Sequence, residues 1–86
     1  MHSLLISTDR DFAAGLRFAG IRTKTVSDRT EILREFSQAV RDESVGVLFL
    51  QSADEECIHD EVAAFRKTHF RPIITVIPEG EIYGTD

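Results

Sequence analysis

Val45-Gly46-Val47-Leu48-Phe49-Leu50, followed at once by Gln51-Ser52, is the stretch that decides the fold. It runs without a charge between polar Asp42-Glu43-Ser44 and a turn-like pair, and it is rich in β-branched and large apolar side chains. Successive side chains of a strand point to opposite faces, so a strand with one wet face alternates apolar with polar. This run does not alternate, which predicts a strand covered on both faces. Such strands belong mainly to parallel sheets with helices on each side. A buried helix is the rival, but the run is short for a helix and of ordinary length for a strand.

Upstream of this strand, Ser27-Asp28 with Glu31 reads as the start of a helix. Leu33, Phe36, Ser37 and Val40 form its apolar stripe with Ile32 flanking, and Arg34, Gln38 and Arg41 lie opposite. Before it, residues 22–26 (Arg-Thr-Lys-Thr-Val) are β-prone but polar, as in an edge strand blunted by Lys24. Earlier still, Thr8-Asp9-Arg10-Asp11 has the form of a capping box, and the helix it opens carries Phe12, Leu16 and Ala19 on one face with Gly15 beside them. Gly20 is its left-handed stop, with Ile21 just beyond. Leu4-Leu5-Ile6 is the first strand.

Downstream, Ser52-Ala53-Asp54-Glu55 opens a third helix as another capping box, with Ile58, Val62 and Phe65 as its buried stripe. Acids Asp54, Glu55 and Glu56 gather at its start and bases Arg66 and Lys67 at its end, matching the helix dipole. Pro72 then begins the run Ile73-Ile74-Thr75-Val76-Ile77 and Pro78 closes it, both tolerable strand-flanking positions. The order is β-α-β-α-β-α-β, with every connection long enough for a parallel crossover. With the polar second run at an edge and the apolar runs inside, the expectation is an α/β, three-layer, four-stranded parallel sheet of order 2-1-3-4. Helices cover both faces, in a flavodoxin- or receiver-like arrangement. Residues 1–78 make this single domain, and 79–86 (Glu-Gly-Glu-Ile-Tyr-Gly-Thr-Asp) form a polar connector.

The 86 residues carry ten bases and fifteen acids, a net charge of −5, which opposes nucleic-acid binding. A single Cys57 excludes an internal disulfide and fits a reducing compartment. No apolar run approaches the ~20 residues that span a bilayer, and the first residues lack the layout of a signal peptide. The expected setting is cytoplasmic, without direct insertion into a membrane.

Ligands of this fold class bind at the carboxyl ends of the strands, here Ser7, Thr8, Asp9, Arg10 and Asp11 after the first strand and Gln51 and Ser52 after the third. Residues 7–11 contain no glycine, so a phosphate loop is absent. Asp9 and Asp11 read as helix-start acids rather than metal ligands. A phosphate-accepting receiver needs an acidic acceptor at the end of the third strand, and Gln51-Ser52 stands there instead. Cys57 reads as a semi-buried structural thiol among acids, not in the electropositive setting of a reactive cysteine. His2, His59 and His69 are scattered without metal-ligand spacing. These residues predict no catalytic, cofactor or metal site.

The segment 9–21, Asp-Arg-Asp-Phe-Ala-Ala-Gly-Leu-Arg-Phe-Ala-Gly-Ile, resembles the signature of the F subunit of V-type and A-type rotary ATPases. The acidic second helix, the Val-Gly-Val third strand, the terminal Ile-Pro and the Tyr-Gly-containing tail are similar too, so the resemblance covers essentially the whole chain. It implies a non-catalytic central-stalk subunit that binds the long coiled coil of the stalk's D subunit. Through that contact it would turn inside the catalytic ring, helping couple ATP hydrolysis or synthesis to ion transport by the membrane sector. Thr8 stands where the family usually has Gly, which predicts a local difference in the first turn. Family members continue past the connector into a C-terminal helix; this sequence ends at Asp86, so the role of that helix is not carried over. The alternative is a stand-alone receiver-like signalling or small-ligand domain. For the partner surface, the face of the first helix that points away from its stripe, with Arg10, Ala14 and Arg17 and Phe18 on the flank, is the expected contact.

Overall fold

The uncharged run is a strand, and it lies inside a sheet. The computed structural model describes residues 1–78; the connector expected at 79–86 lies outside the described residues. In chain order the elements are β1 (His2–Ser7), α1 (Arg10–Phe18), β2 (Arg22–Thr25), α2 (Arg29–Ala39), β3 (Val45–Gln51), α3 (Ser52–Cys57), α4 (His59–Thr68) and β4 (Ile73–Ile77). The strands form one four-stranded sheet of order β2-β1-β3-β4, and every pair is parallel. This is the expected flavodoxin-like order, with β4 ending where Pro78 stops it.

Right-handed crossovers place α1 on one face and the later helices on the other. Burial agrees. Leu4, Ile6, Leu48, Leu50 and Ile74 point to one side and pack with Ile32, Phe36 and Ala39 of α2 and with Ile58 and Val62 of the following helices. Phe36 meets Phe65 edge to face at 6.0 Å between ring centroids, the geometry the ring quadrupoles prefer. On the opposite side Leu5 is fully buried, as is Ala13 of α1.

Several local expectations are corrected. The third helix is two: α3 ends at Cys57, Ile58 leaves the helical region at φ −128° and ψ 30°, and α4 begins at His59. The break lets the Ile58 side chain reach full burial, while the Arg29 guanidinium donates to the Cys57 carbonyl at 2.8 Å and pairs with Glu61 at 3.2 Å. An otherwise orphaned carbonyl is thereby satisfied. The N-cap of α1 is Asp9, whose carboxylate accepts from the Phe12 N–H, not Thr8. The start of α3 differs too: its N-cap is Gln51, not Ser52, and Gln51 makes no side-chain cap bond. In contrast, Asp28 caps α2 through the Glu31 N–H while Glu31 accepts from the Ser27 N–H.

The apolar stripes are rotated from those expected. In α1 the fully buried residue is Ala13, Phe12 and Leu16 are half-buried, and Ala19 is exposed at the C-cap. In α2, Ile32, Phe36 and Ala39 make the centre, with Leu33 and Val40 beside it. Gly20 does stop α1, at φ 91°. The Ile21 N–H reaches the Leu16 carbonyl and the Gly20 N–H that of Arg17, each at 3.0 Å, closing the end as a Schellman motif.

The largest correction concerns β3. Its coverage is complete on the α2 side only. Val47 and Phe49, which face the α1 side, are half-buried, and neighbouring Ile73 of β4 is 57% exposed. The α1 helix lies over β1 and β2, so half of that sheet face carries no helix among the described residues. The run of apolar residues therefore signals two apolar faces, of which the described residues fill one and a half.

Candidate functional site

The β1–β3 switch point, where this architecture usually opens a crevice, is closed here by side chains of the chain itself. Ser7 ends β1 and Gln51 ends β3; both are buried, and the Ser7 hydroxyl donates to Gln51 Oε1 at 2.7 Å. The same oxygen of Ser7 accepts from the Asp9 N–H at 2.9 Å. Beside this pair, Asp54 from the first turn of α3 is buried and reaches back across the gap. Its two carboxylate oxygens accept from the Thr8 N–H at 3.0 Å and the Thr8 hydroxyl at 2.7 Å. The turn after β1 is thus stapled to the start of α3, and the polar groups that could greet a ligand are spent on one another.

Sequence reasoning missed this pair of contacts. Thr8 and Asp54 each match a helix-start pattern, and spacing within one segment cannot reveal a bond between residues forty-six positions apart. The departure at Thr8 is the available signal: a residue with a hydroxyl, in place of a smaller one, supplies the second of the two donors.

The other candidates are dispersed. Cys57 is exposed, not semi-buried, because the helix break after it turns Ile58 inward instead. His59 Nδ1 lies 3.0 Å from Glu55 Oε2, His69 stacks on Phe65 at 4.6 Å, and His2 meets Arg22. Among the described residues no three His, Cys, Asp or Glu side chains group as a metal site would require. A surface depression of about 340 Å³ lies at the far, amino end of the sheet, lined by Val40, Asp42, Glu43, Val45, Arg71 and Pro72. Asp42 in that wall is held below the usual carboxylate range by hydrogen bonds from the Ser44 hydroxyl and backbone N–H. Both hydrogen bonds are local and serve the turn into β3.

Of the expected partner surface on α1, Arg10, Ala14 and Phe18 are exposed, and Phe18, at 94%, is nearly bare. Arg17 is at the surface too, but its guanidinium turns down to Thr23 on β2, with Nε and Nη2 donating to the hydroxyl at 3.0 and 2.6 Å. A shallow apolar hollow lies between Ala14, Arg17 and Phe18. Three of the four residues therefore present free surface, while the fourth is engaged with the domain's own edge strand.

No helix among the described residues is long and apolar enough to cross a membrane. Compared with known proteins, residues 4–85 match the family model described as ATP synthase (F/14-kDa) subunit. No curated protein matches the chain.

Proposed function

Because the chain belongs to the family of ATP synthase (F/14-kDa) subunits, we propose that it is a central-stalk component of a V/A-type rotary ATPase. In this reading it binds the coiled-coil subunit of the stalk and helps couple ATP turnover to ion transport. It is an accessory component of the complex rather than the catalytic one. Its place is on the aqueous, cytoplasmic side, held to the membrane sector only through other subunits.

The observation that carries this reading is the match across nearly the whole chain, on a domain whose usual ligand crevice is tied shut by Ser7–Gln51 and Thr8–Asp54. A receiver-like signalling role has less support. The position a phospho-acceptor would need is Gln51, an amide already accepting from Ser7.

Bare Phe18 supports α1 as part of the contact, since desolvated aromatics dominate interface energetics. Coexpression with the cognate coiled-coil subunit, followed by size exclusion, should give a one-to-one complex. Failure to copurify at micromolar concentration in both low and moderate salt would overturn the assignment. Phe18→Ser, alone or with Arg17→Glu, should weaken the complex at least tenfold, about 1.4 kcal/mol. The single change is the cleaner one, because Arg17 also ties down Thr23.

A further inference from the structure

At the edge of the sheet away from β4, two rows of polar side chains face each other. Thr23 and Thr25 alternate with Arg22 and Lys24 along β2, and their register with Leu5 and Ser7 of β1 sets both threonines on the α1 side. Ser27 continues that row two residues past Thr25. On α1, Arg10 and Arg17 are seven residues apart and so lie within about 20° of one another around the helix. The bonds from Arg17 to the Thr23 hydroxyl mark this side of the helix as the one over β2.

The two rows run together because a right-handed crossover sends α1 back against the direction of the strands. From Arg17 to Arg10 the helix climbs about 10 Å, while the chain from Thr23 through Thr25 to Ser27 climbs about 13 Å. At the Thr23 end the rows touch. At the Ser27 end they stand apart, around a hollow of about 360 Å³ lined by Arg10, Arg17, Thr25 and Ser27.

Every side chain of that lining donates hydrogen bonds, and among the described residues none is a carboxylate. The Arg10 guanidinium and the hydroxyls of Thr25 and Ser27 have no hydrogen-bond partner among the described residues. Arg17 spends Nε and Nη2 on Thr23 and keeps Nη1 free for another acceptor. The nearby acids are engaged elsewhere. Asp9 accepts from the Phe12 N–H, Asp28 from the Glu31 N–H, and Glu31 from the Ser27 N–H. Asp11 lies nearly opposite buried Ala13 on α1 and faces away from the sheet. A chain of net charge −5 thus keeps two guanidiniums together without a carboxylate between them.

We infer that this hollow binds a diphosphate-type oxyanion. Arg10 takes one phosphoryl group with its fork, Arg17 Nη1 takes the other, and the Thr25 and Ser27 hydroxyls donate to the remaining oxygens. Donor number selects phosphoryl over carboxylate. A carboxylate offers two oxygens, too few for two guanidiniums and two hydroxyls, whereas each phosphoryl group offers three. The planar fork of arginine also matches phosphate geometry. All four lining residues are exposed, so the affinity falls as salt rises.

The test titrates the isolated full chain with sodium pyrophosphate, ADP, inorganic phosphate and glutarate at matched ionic strength, followed by amide NMR shifts. Expected are saturable shifts from pyrophosphate centred on Arg10, Thr25 and Ser27, with inorganic phosphate and glutarate tenfold or more weaker. Arg10→Gln should lower pyrophosphate affinity tenfold or more and Ser27→Ala by a smaller factor, while Lys67→Gln, at the end of α4, binds as wild type does. ADP binding as pyrophosphate does supports a site for the phosphoryl chain alone; tighter ADP binding assigns the same site to a nucleotide. A pyrophosphate response no larger than that of sodium chloride overturns the proposal, as does unchanged affinity in folded Arg10→Gln and Ser27→Ala. Glutarate binding as tightly as pyrophosphate overturns it too, making the hollow a seat for protein carboxylates. None of these outcomes bears on the stalk reading, because no partner subunit is present in the titration.

Discussion

Asp54→Ala tests whether the contact between the β1–α1 turn and α3 holds the carboxyl end of the sheet together. The substitution removes a buried carboxylate that accepts two bonds, at 3.0 and 2.7 Å. Hydrogen bonds to a charged group contribute about 1.5–3 kcal/mol each. Two would give about 3–6 kcal/mol, but two effects reduce the sum. Thr8 is exposed, so water can replace the lost acceptor, and the penalty for burying a carboxylate disappears with it. The expected cost is about 1.5–3 kcal/mol, or a fall in Tm of roughly 6–24 °C for a domain this small. Asp54→Asn should cost less than half as much: its oxygen can take the N–H while its amide donates to the rotatable Thr8 hydroxyl. Glu56→Ala, on the exposed side of the same helix, should stay within about 0.5 kcal/mol. Urea melts of the three, and a double-mutant cycle with Thr8→Val, measure the order and the coupling. Asp54→Ala within about 0.5 kcal/mol of wild type, or Asn no milder than Ala, would refute the argument.

Two glycines should respond with opposite signs. Gly20→Ala forces a side chain to φ 91° and should cost about 1–2 kcal/mol, whereas Gly15→Ala should stabilise the isolated domain by roughly 0.5–1 kcal/mol; thermal melts of the pair read both. Phe49→Ala should cost about 1–2 kcal/mol, because its ring is half-buried, while Leu48→Ala and Leu50→Ala on the filled face should cost about 2–5 kcal/mol. Equal losses at 48 and 49 in urea would mean that the α1 side of β3 is covered after all. Ser44→Ala should raise the Asp42 pKa toward the ordinary carboxylate value, followed by NMR titration. Because the folded-state value is the lowered one, this hydrogen bonding supports the fold above the ordinary carboxylate pKa and is lost as pH falls through the lowered value.

The strands and their order in the sheet, the helices apart from the break at Ile58, and the family were legible in the residues. They follow from local signals: the uncharged run at 45–50, the prolines at 72 and 78, Gly20 with Ile21, and polar residues 22–25 that suit only an edge. Phe18 likewise stood out as an aromatic without a place in the stripe of α1. Anything that depends on where two distant segments meet was not legible. Thr8 and Asp54 read as helix-start residues until folding brings them together, since the same side chain can cap its own helix or reach another. The break at Ile58 is not written in any Gly or Pro; it arises because the core takes that side chain and Arg29 takes the carbonyl it frees. Period alone set the stripes of α1 and α2 slightly off, as helix rotation is fixed by the sheet beneath. Above all, an apolar run reports which faces avoid water, not which molecule covers them. That one half-face of β3 and β4 carries no helix among the described residues emerges only once the helices are laid on the sheet.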